Sequence, residues 1–576
     1  MAESLDIEHM LSPEHLATEI SSKWSEWNTL RQQWVNERRE LRNYLYATDT
    51  STTSNAKLPW SNSTTTPKLT QIKDNLHANL FSALFPSQNY LRWQGTTFDD
   101  NSKAKKQIIT SFMKAKLSEQ SFPSVASQFL DDVIDYGNAF GFVKYERDYI
   151  KKEDGDIIEK FVGPRAIRIS PFDICFNPTA SSFAKSPKVV RSLLTLGDVK
   201  RLIEKENQED LNPVFERMLT NRQSVLDSTD VTKGDAYRAD GFSDIKHYYG
   251  SGYVEILTFY GDLYDTSSGT LMTDRTIRIM DRAYLLSNEE NPSWLGTAPF
   301  FHVGWRERPD NLYAMGPLDN LVGMQYRIDH LENLKADVFD MISLPMMKIR
   351  GSVEDFEIAP GARIYEGEEG SVEYLRPDGT ALNADFQISQ LENKMEEMAG
   401  APRQAMGIRT PGEKTAFEVQ SLDNASGRIF QHKSAHIERT FFEPMFNYML
   451  AEASRNMSTK EQLRVEEAGR TAFVTIEKAD VTGEGRLKSI GARHFAERAQ
   501  RVQNLQALQQ VRQSDPTVGA HISGKKIAEI MSDELGEQDL YGENITIQEQ
   551  METQQASVEA QVDFEEQQQV ATELGI

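Results

Sequence analysis

The chain has 576 residues, with 63 Lys and Arg against 87 Asp and Glu, and a net charge of −24. A chain of this length exceeds what one hydrophobic core usually serves, so two or more packed regions are expected; the acidic balance argues against a protein that grips nucleic acid over its whole surface and leaves only local basic patches open. The single cysteine, Cys175, excludes an internal disulfide and a cysteine-based metal site, fits a reducing compartment, and reads as a small buried hydrophobe in the apolar run DICFNP.

The opening MAESLDIEHM has no basic segment ahead of an apolar core, and no run of about 18 apolar residues occurs, so neither export nor a membrane span is expected. The sequons at Asn62 and Asn456 therefore carry little weight. From Ser12 and Pro13, a cap and a first-turn proline, Leu16, Ile20, Trp24, Trp27, Trp34, Leu41 and Leu45 recur at helical spacing up to Tyr46. One long amphipathic helix is predicted, and its three tryptophans favour core packing over a nucleobase platform. STTSNAKLPWSNSTTTP reads as a polar linker, and helices follow over 68–86 and 101–136.

From GNAFGFVKYERDYIKK to FDICFNP the pattern changes to short β-rich runs, with EDGD at 153–156 as a hairpin turn. Helices return near 196–227, and strands between 252 and 305 are split by DTSSGT. The first 313 residues thus read as one α+β body rather than a βαβ series.

Leu321, Met324, Ile328, Leu331, Val338 and Ile342 predict an unbroken helix of roughly 25 residues, about 38 Å long, that stops at Pro345. Short alternating runs between Gly and Pro turns then predict a small β module, and ADFQISQLENKMEEMAG a returning helix that stops at Gly400 and Pro402. Helix, module and helix form an out-and-back excursion. APRQAMGIRTPGEKT hangs at its return end and carries Arg403, Arg409 and Lys414. A very long helical stretch follows, with a bend expected near Ser426 and Gly427 or at Pro444. Beyond 460 come a strand pair in RTAFVTIEKADVTGEGRLKSIGARHF, helices at 494–512 and 524–535, and an end rich in Gln and Glu that reads as an acidic helix or a disordered tail.

No stretch offers a credible active site. GIRTPGEKT departs from a phosphate-binding loop because Glu413 is inserted before Lys414 and the segment ahead of it is helical rather than a strand. His432 and His436 are four apart on a helix, but Lys433 stands where a zinc hydrolase needs glutamate, and no third ligand is near. Acidic pairs such as Asp131 with Asp132, or Glu396 with Glu397, read as solvated helix faces. No catalytic residue, metal or cofactor is expected, and the chain does not read as an enzyme.

The order of these features resembles the portal, or head-to-tail connector, proteins of tailed bacteriophages, most nearly those of short-tailed phages. The resemblance lies in the helix from Gly316 to Ile342, the module around APGARIYEGEEGSVEYLRP, the helix to MEEMAGAPRQAMGI, the GEKTAFEVQ start of the long helix, and DYGNAFGFVKYE followed by ISPFDICFNPTAS; it spans roughly residues 15 to 510. It implies an α+β, mainly helical chain with wing, stem, clip and crown or barrel regions, assembled as a ring of usually twelve subunits at one capsid vertex.

In these terms residues 1–313 and 416–490 are the wing, 314–343 and 385–400 the stem helices, 344–384 the clip, 401–415 the tunnel loop, and 491–576 the crown or barrel with its acidic tail. The implied function is a channel through which a terminase motor packages the genome, through which it is later ejected, and on which the tail assembles. The implied partners are double-stranded DNA, the terminase large subunit, a tail adaptor, and the major capsid and scaffolding proteins, with assembly in the host cytoplasm, residence in the virion and no membrane.

Two readings of Arg403, Arg409 and Lys414 stand beside each other: weak, salt-dependent contact with passing phosphates, or pairing with acids of a neighbouring subunit. Acidic walls would let DNA slide. Lys348, Arg350, Arg363, Glu368 and Glu369 are the implied docking residues on the clip. Alternatives are a virion adaptor or scaffold without a channel and, more remotely, a nucleic-acid-dependent ATPase.

Overall fold

The computed structural model describes residues 3–7, 12–46, 50–57, 62–86, 90–95, 100–151, 157–205, 212–227, 250, 252–291, 293, 299–343, 346–351, 365, 371–375, 379–399, 430–458, 460–467, 470–489, 491, 504–510, 527–528 and 531. The chain divides into two compact units, Met1–Ser489 and Ile490–Ile576. In the second, the described residues include a helical run at 504–510.

The first unit begins with β1 (Ser4–Ile7), α1 (Pro13–Leu30) and α2 (Gln32–Tyr46). The single long helix expected here is two, because Arg31 leaves helical geometry at φ −92°, ψ 0°. Its buried guanidinium donates to the carbonyls of Pro171, Phe172 and Ile174 at 2.6–2.8 Å. Trp24, Trp27 and Trp34 are buried, as the apolar spacing implies, and Cys175 is fully buried in the same cluster as Trp24. After α3 (Lys68–Leu84) and β2 (Leu91–Gly95), the helix expected over 101–136 is also two, α4 (Asp100–Glu119) and α5 (Phe122–Tyr136). Ser121 separates them in the left-handed region, at φ 53°, where a helix does not continue.

β3 (Asn138–Lys151) and β4 (Ile157–Ile169) form the expected hairpin, with Lys151 opposite Ile157; its EDGD turn lies outside the described residues. Gly137 connects α5 to β3 at φ +73°, and a Cβ there would sit 2.5 Å from the Gly316 nitrogen, so only glycine fits. Next come β5 (Ile174–Phe176), β6 (Lys188–Thr195), α6 (Leu196–Lys205), α7 (Asn212–Asp227), β7 (Tyr253–Asp265), β8 (Thr270–Met280) and β9 (Tyr284–Glu290). Strands β5-β6-β7-β8-β9 make an antiparallel sheet, and β1 joins β7 in parallel. The DTSSGT segment is the β7–β8 turn, as expected, with Asp265 paired to Thr270. β10 (Phe300–Gly304) adds to β3 to give the order β10-β3-β4, and β11 (Arg306–Arg308) with β12 (Asn311–Met315) leads into the excursion.

The excursion is α8 (Val322–Ser343), β13 (Met346–Arg350), β14 (Ser371–Leu375) and α9 (Asp385–Met398). The chain is then described again in α10 (430–456), which contains a π-helical turn over Glu438–Phe442 just before Pro444. Proline has no N–H for the Thr440 carbonyl, and the wider turn relieves that mismatch. Of the two bends expected in this stretch, the one at Pro444 corresponds to this turn; Ser426 and Gly427 lie outside the described residues.

β15 (Lys460–Glu467), β16 (Arg470–Glu477), the short α11 (Lys478–Val481) and β17 (Gly485–Ser489) complete the unit. The strand pairing expected here is corrected. β16 pairs with β15, and β17 pairs with β2, nearly four hundred residues earlier in the chain.

The main core is built by α3, α5, α10 and the inner half of α8. Edge-on aromatic pairs knit it together: Phe129 with Phe441 at 4.9 Å, Phe122 with Phe446 at 5.1 Å, and Phe85 with Phe442 at 5.4 Å. The architecture is therefore mixed, with helix predominating over strand and several small sheets beside one larger one.

Candidate functional site: the α8–α9 excursion

α8 carries an apolar face at Ile328 and Leu331 that, with Leu321 just ahead of the helix, enters the main core. Beside that face runs a buried polar stripe of Gln325, Asp329, Asn333 and Asp337, spaced four residues apart. Four helical residues rise about 6 Å, and two residues of extended chain advance about 6.6 Å, so such a stripe can match every second N–H of an extended segment.

The segment it matches is 62–66, in the supposed linker, and the stripe ends on the first turn of α3 at Leu69. Asp337 accepts the Asn62 N–H at 2.9 Å, Asn333 the Thr64 N–H at 2.9 Å, Asp329 the Thr66 N–H at 2.9 Å, and Gln325 the Leu69 N–H at 3.2 Å. Asn333 and Gln325 also donate to the carbonyls of Thr64 and Thr66, at 2.9 and 2.5 Å. A helix whose own backbone is satisfied thus holds an extended strap with side chains alone.

The start of α3, where the strap ends, also reaches α9. Lys68 donates to Glu396 at 2.6 Å, both side chains being nearly inaccessible. Lys335 in the outer half of α8 donates to Asp385 at the start of α9 at 2.7 Å, and its hydrogen bonds to Asp385 and Glu332 raise its pKa. Together these contacts set α8 and α9 antiparallel.

Glu396 is therefore no solvated acid. Nor is Asp132, which is 1% exposed and receives two bonds of 2.6 Å from Arg168. The solvated-face reading of both is corrected. Each sits where its helix turns inward against a cation that is distant in sequence.

At the tip, β13 and β14 pair with Lys348 opposite Glu373 and Ile349 opposite Val372. Alternation then sorts the hairpin into two faces. Met346, Lys348, Arg350, Ser371, Glu373 and Leu375 share one, where Lys348 and Glu373 form an exposed pair at 3.2 Å. Met347, Ile349, Val372 and Tyr374 make the other, which is wholly apolar, yet Ile349 and Tyr374 are each about half exposed (52% and 51%). Nine of the seventeen exposed large apolar side chains among the described residues lie between 334 and 398, including Phe339 and Phe386.

Of the residues singled out from the sequence, Lys348 and Arg350 come together on the charged hairpin face. Arg363, Glu368, Glu369, Arg403, Arg409 and Lys414 lie outside the described residues. His436 faces Glu307 at 3.3 Å and draws the Glu307 carboxyl below its ordinary value, while His432 is exposed. Among the described residues no group of three or more His, Cys, Asp and Glu is placed to hold a metal, and no helix is long and apolar enough to cross a membrane. The polar stripe was not singled out from the sequence, although Gln, Asp, Asn and Asp at strict four-residue spacing beside an apolar face was its signal.

No protein-family model matches the chain, and no curated protein is significantly similar to it.

Proposed function

We propose that the chain is a portal-type protein: a subunit of a closed ring at a capsid vertex, with α8 and α9 as the stem, the β13–β14 hairpin as part of the clip, and a channel through which DNA is packaged and ejected. The observation that carries this reading is the hairpin. A two-stranded sheet whose apolar face leaves Ile349 and Tyr374 half exposed is marginal alone in water, and removing a side chain such as Ile349 from solvent contributes about 1.5–3 kcal/mol. A neighbouring copy in a ring covers that face, and repeats the contact around a closed heterologous assembly. The order of elements in the sequence supports the same reading. Arg403, Arg409 and Lys414 are then the channel loop, meeting either phosphates or acids of the next subunit, and Lys348 and Arg350 present charge to docking partners.

Electron microscopy of the purified protein, with mass photometry beside it, tests the proposal. Rings with a duplex-wide hole and a mass of about 785 kDa, twelve copies of 65.4 kDa, are expected. A protein that stays monomeric in the presence of capsid and scaffolding proteins overturns it. Packaging by a triple variant neutralising Arg403, Arg409 and Lys414 separates the two roles of the loop. Unchanged packaging across a salt series removes the phosphate role.

A further inference from the structure

The excursion is anchored differently at its two ends. At the inner end, Ile328 and Leu331 of α8 and Met395 of α9 lie in the main core, Arg38 pairs with Asp319 just ahead of α8, and Lys68 pairs with Glu396. Beyond Leu331, the buried residues of α8 are Asn333, Asp337 and Val338, and Val338 belongs to none of the core clusters. Hydrogen bonds join this outer half to the body. Asn333 exchanges bonds with Thr64; the Asn62 side chain donates to Asp337 at 2.7 Å and to Asp340 at 3.0 Å.

We propose that Asn62 and Thr64 are a latch on the outer half of α8. Engaged, the latch seats residues 333–343 on the body; disengaged, the outer turns pivot near Leu331 and carry the β13–β14 hairpin with them, while the inner half stays packed. Hydrogen bonds of this kind contribute little net free energy each because water replaces them. A segment held by them opens well below the free energy of global unfolding, whereas one buried in the core does not. The start of α9 follows, since Lys335 ties it to α8. The latch does not depend on the portal reading, because it follows from where α8 leaves the main core.

Peptide-resolved hydrogen exchange of the full chain, wild type against Asn62→Ala, tests the latch. The variant loses two bonds to carboxylates, so exchange over 334–343 is expected to quicken about tenfold or more, with 322–331 and α3 unchanged. No change over 334–343 overturns the proposal, as does equal quickening over 322–331, which would mark α8 as one unit. A second variant guards against a failure to fold. In N62C/D340C bridged by a short bismaleimide, only the engineered thiols react, since Cys175 is buried. Exchange over 334–343 should then fall below wild type, and an unaltered rate again overturns the latch.

Discussion

Asn333 and Thr64, 269 residues apart, hold each other through both backbone polar groups of the threonine: Asn333 accepts its N–H at 2.9 Å and donates to its carbonyl at 2.9 Å. Asn333 is fully buried. Replacing it with leucine leaves the Thr64 N–H and carbonyl without their partner and is expected to cost about 2–4 kcal/mol. Asn333→Asp keeps the acceptor but sets an oxygen against the Thr64 carbonyl and buries a charge near Asp329 and Asp337, so it should cost at least as much. Urea unfolding with an unchanged m-value checks both; a clearly smaller loss for the aspartate would mean that the bond accepted from the Thr64 N–H is what matters.

Lys68 and Glu396 form a pair that neither residue can leave cheaply. Glu396→Gln strands a buried ammonium and should cost about 3–5 kcal/mol, whereas the double change to methionine at both positions should cost less than either single one. A double-mutant cycle reads the coupling. Additive losses would show that the two side chains act independently.

Lys188 is buried between Phe183 and Phe300, donates to the Ser186 carbonyl at 2.8 Å, and has no carboxylate within ion-pair distance among the described residues. Burial lowers its pKa from 10.5 to about 7. Between those values the unfolded chain holds a proton that the folded chain lacks, so stability should rise with pH from about 7 to 10.5; below about 7 the full penalty is present. Relative to Lys188→Met, the wild type should gain about 1–3 kcal/mol between pH 7 and pH 10. Parallel pH profiles of the two proteins would show that Lys188 stays charged.

Ile349→Lys and Tyr374→Glu alter the apolar hairpin face at half-exposed positions, so each should leave the monomer within about 0.5 kcal/mol of wild type. Mass photometry should show fewer rings for either variant. Rings that persist at the wild-type fraction would place the interface elsewhere.

What was legible in the sequence is what local periodicity encodes. The apolar spacing of α1, α2 and α8, the glycine and proline after α9, and the turn between β7 and β8 announced those elements because their determinants are a few residues apart. Breaks inside helices were not legible, since Arg31 leaves the helix to reach carbonyls some 140 residues on, and Ser121 adopts a left-handed conformation that nothing in its composition demands. The strap read as a linker because its partners are side chains of a helix more than 250 residues away. The β2–β17 pairing was hidden for the same reason. Of the candidate site, the excursion itself was legible, and the stripe that holds it was present in the sequence as a four-residue repeat with no local purpose.

The π-helical turn in α10 closes a bond from the Glu443 N–H to the Glu438 carbonyl, five residues back. Such a turn holds one residue more than the α-helix around it and rotates everything upstream, including His432 and His436, by about 100° relative to Phe446. The stretch between His436 and Pro444 is consequently where related sequences should differ by a single-residue gap: a chain without proline there can drop one residue, regain an unbroken α-helix, and present a different face to β11.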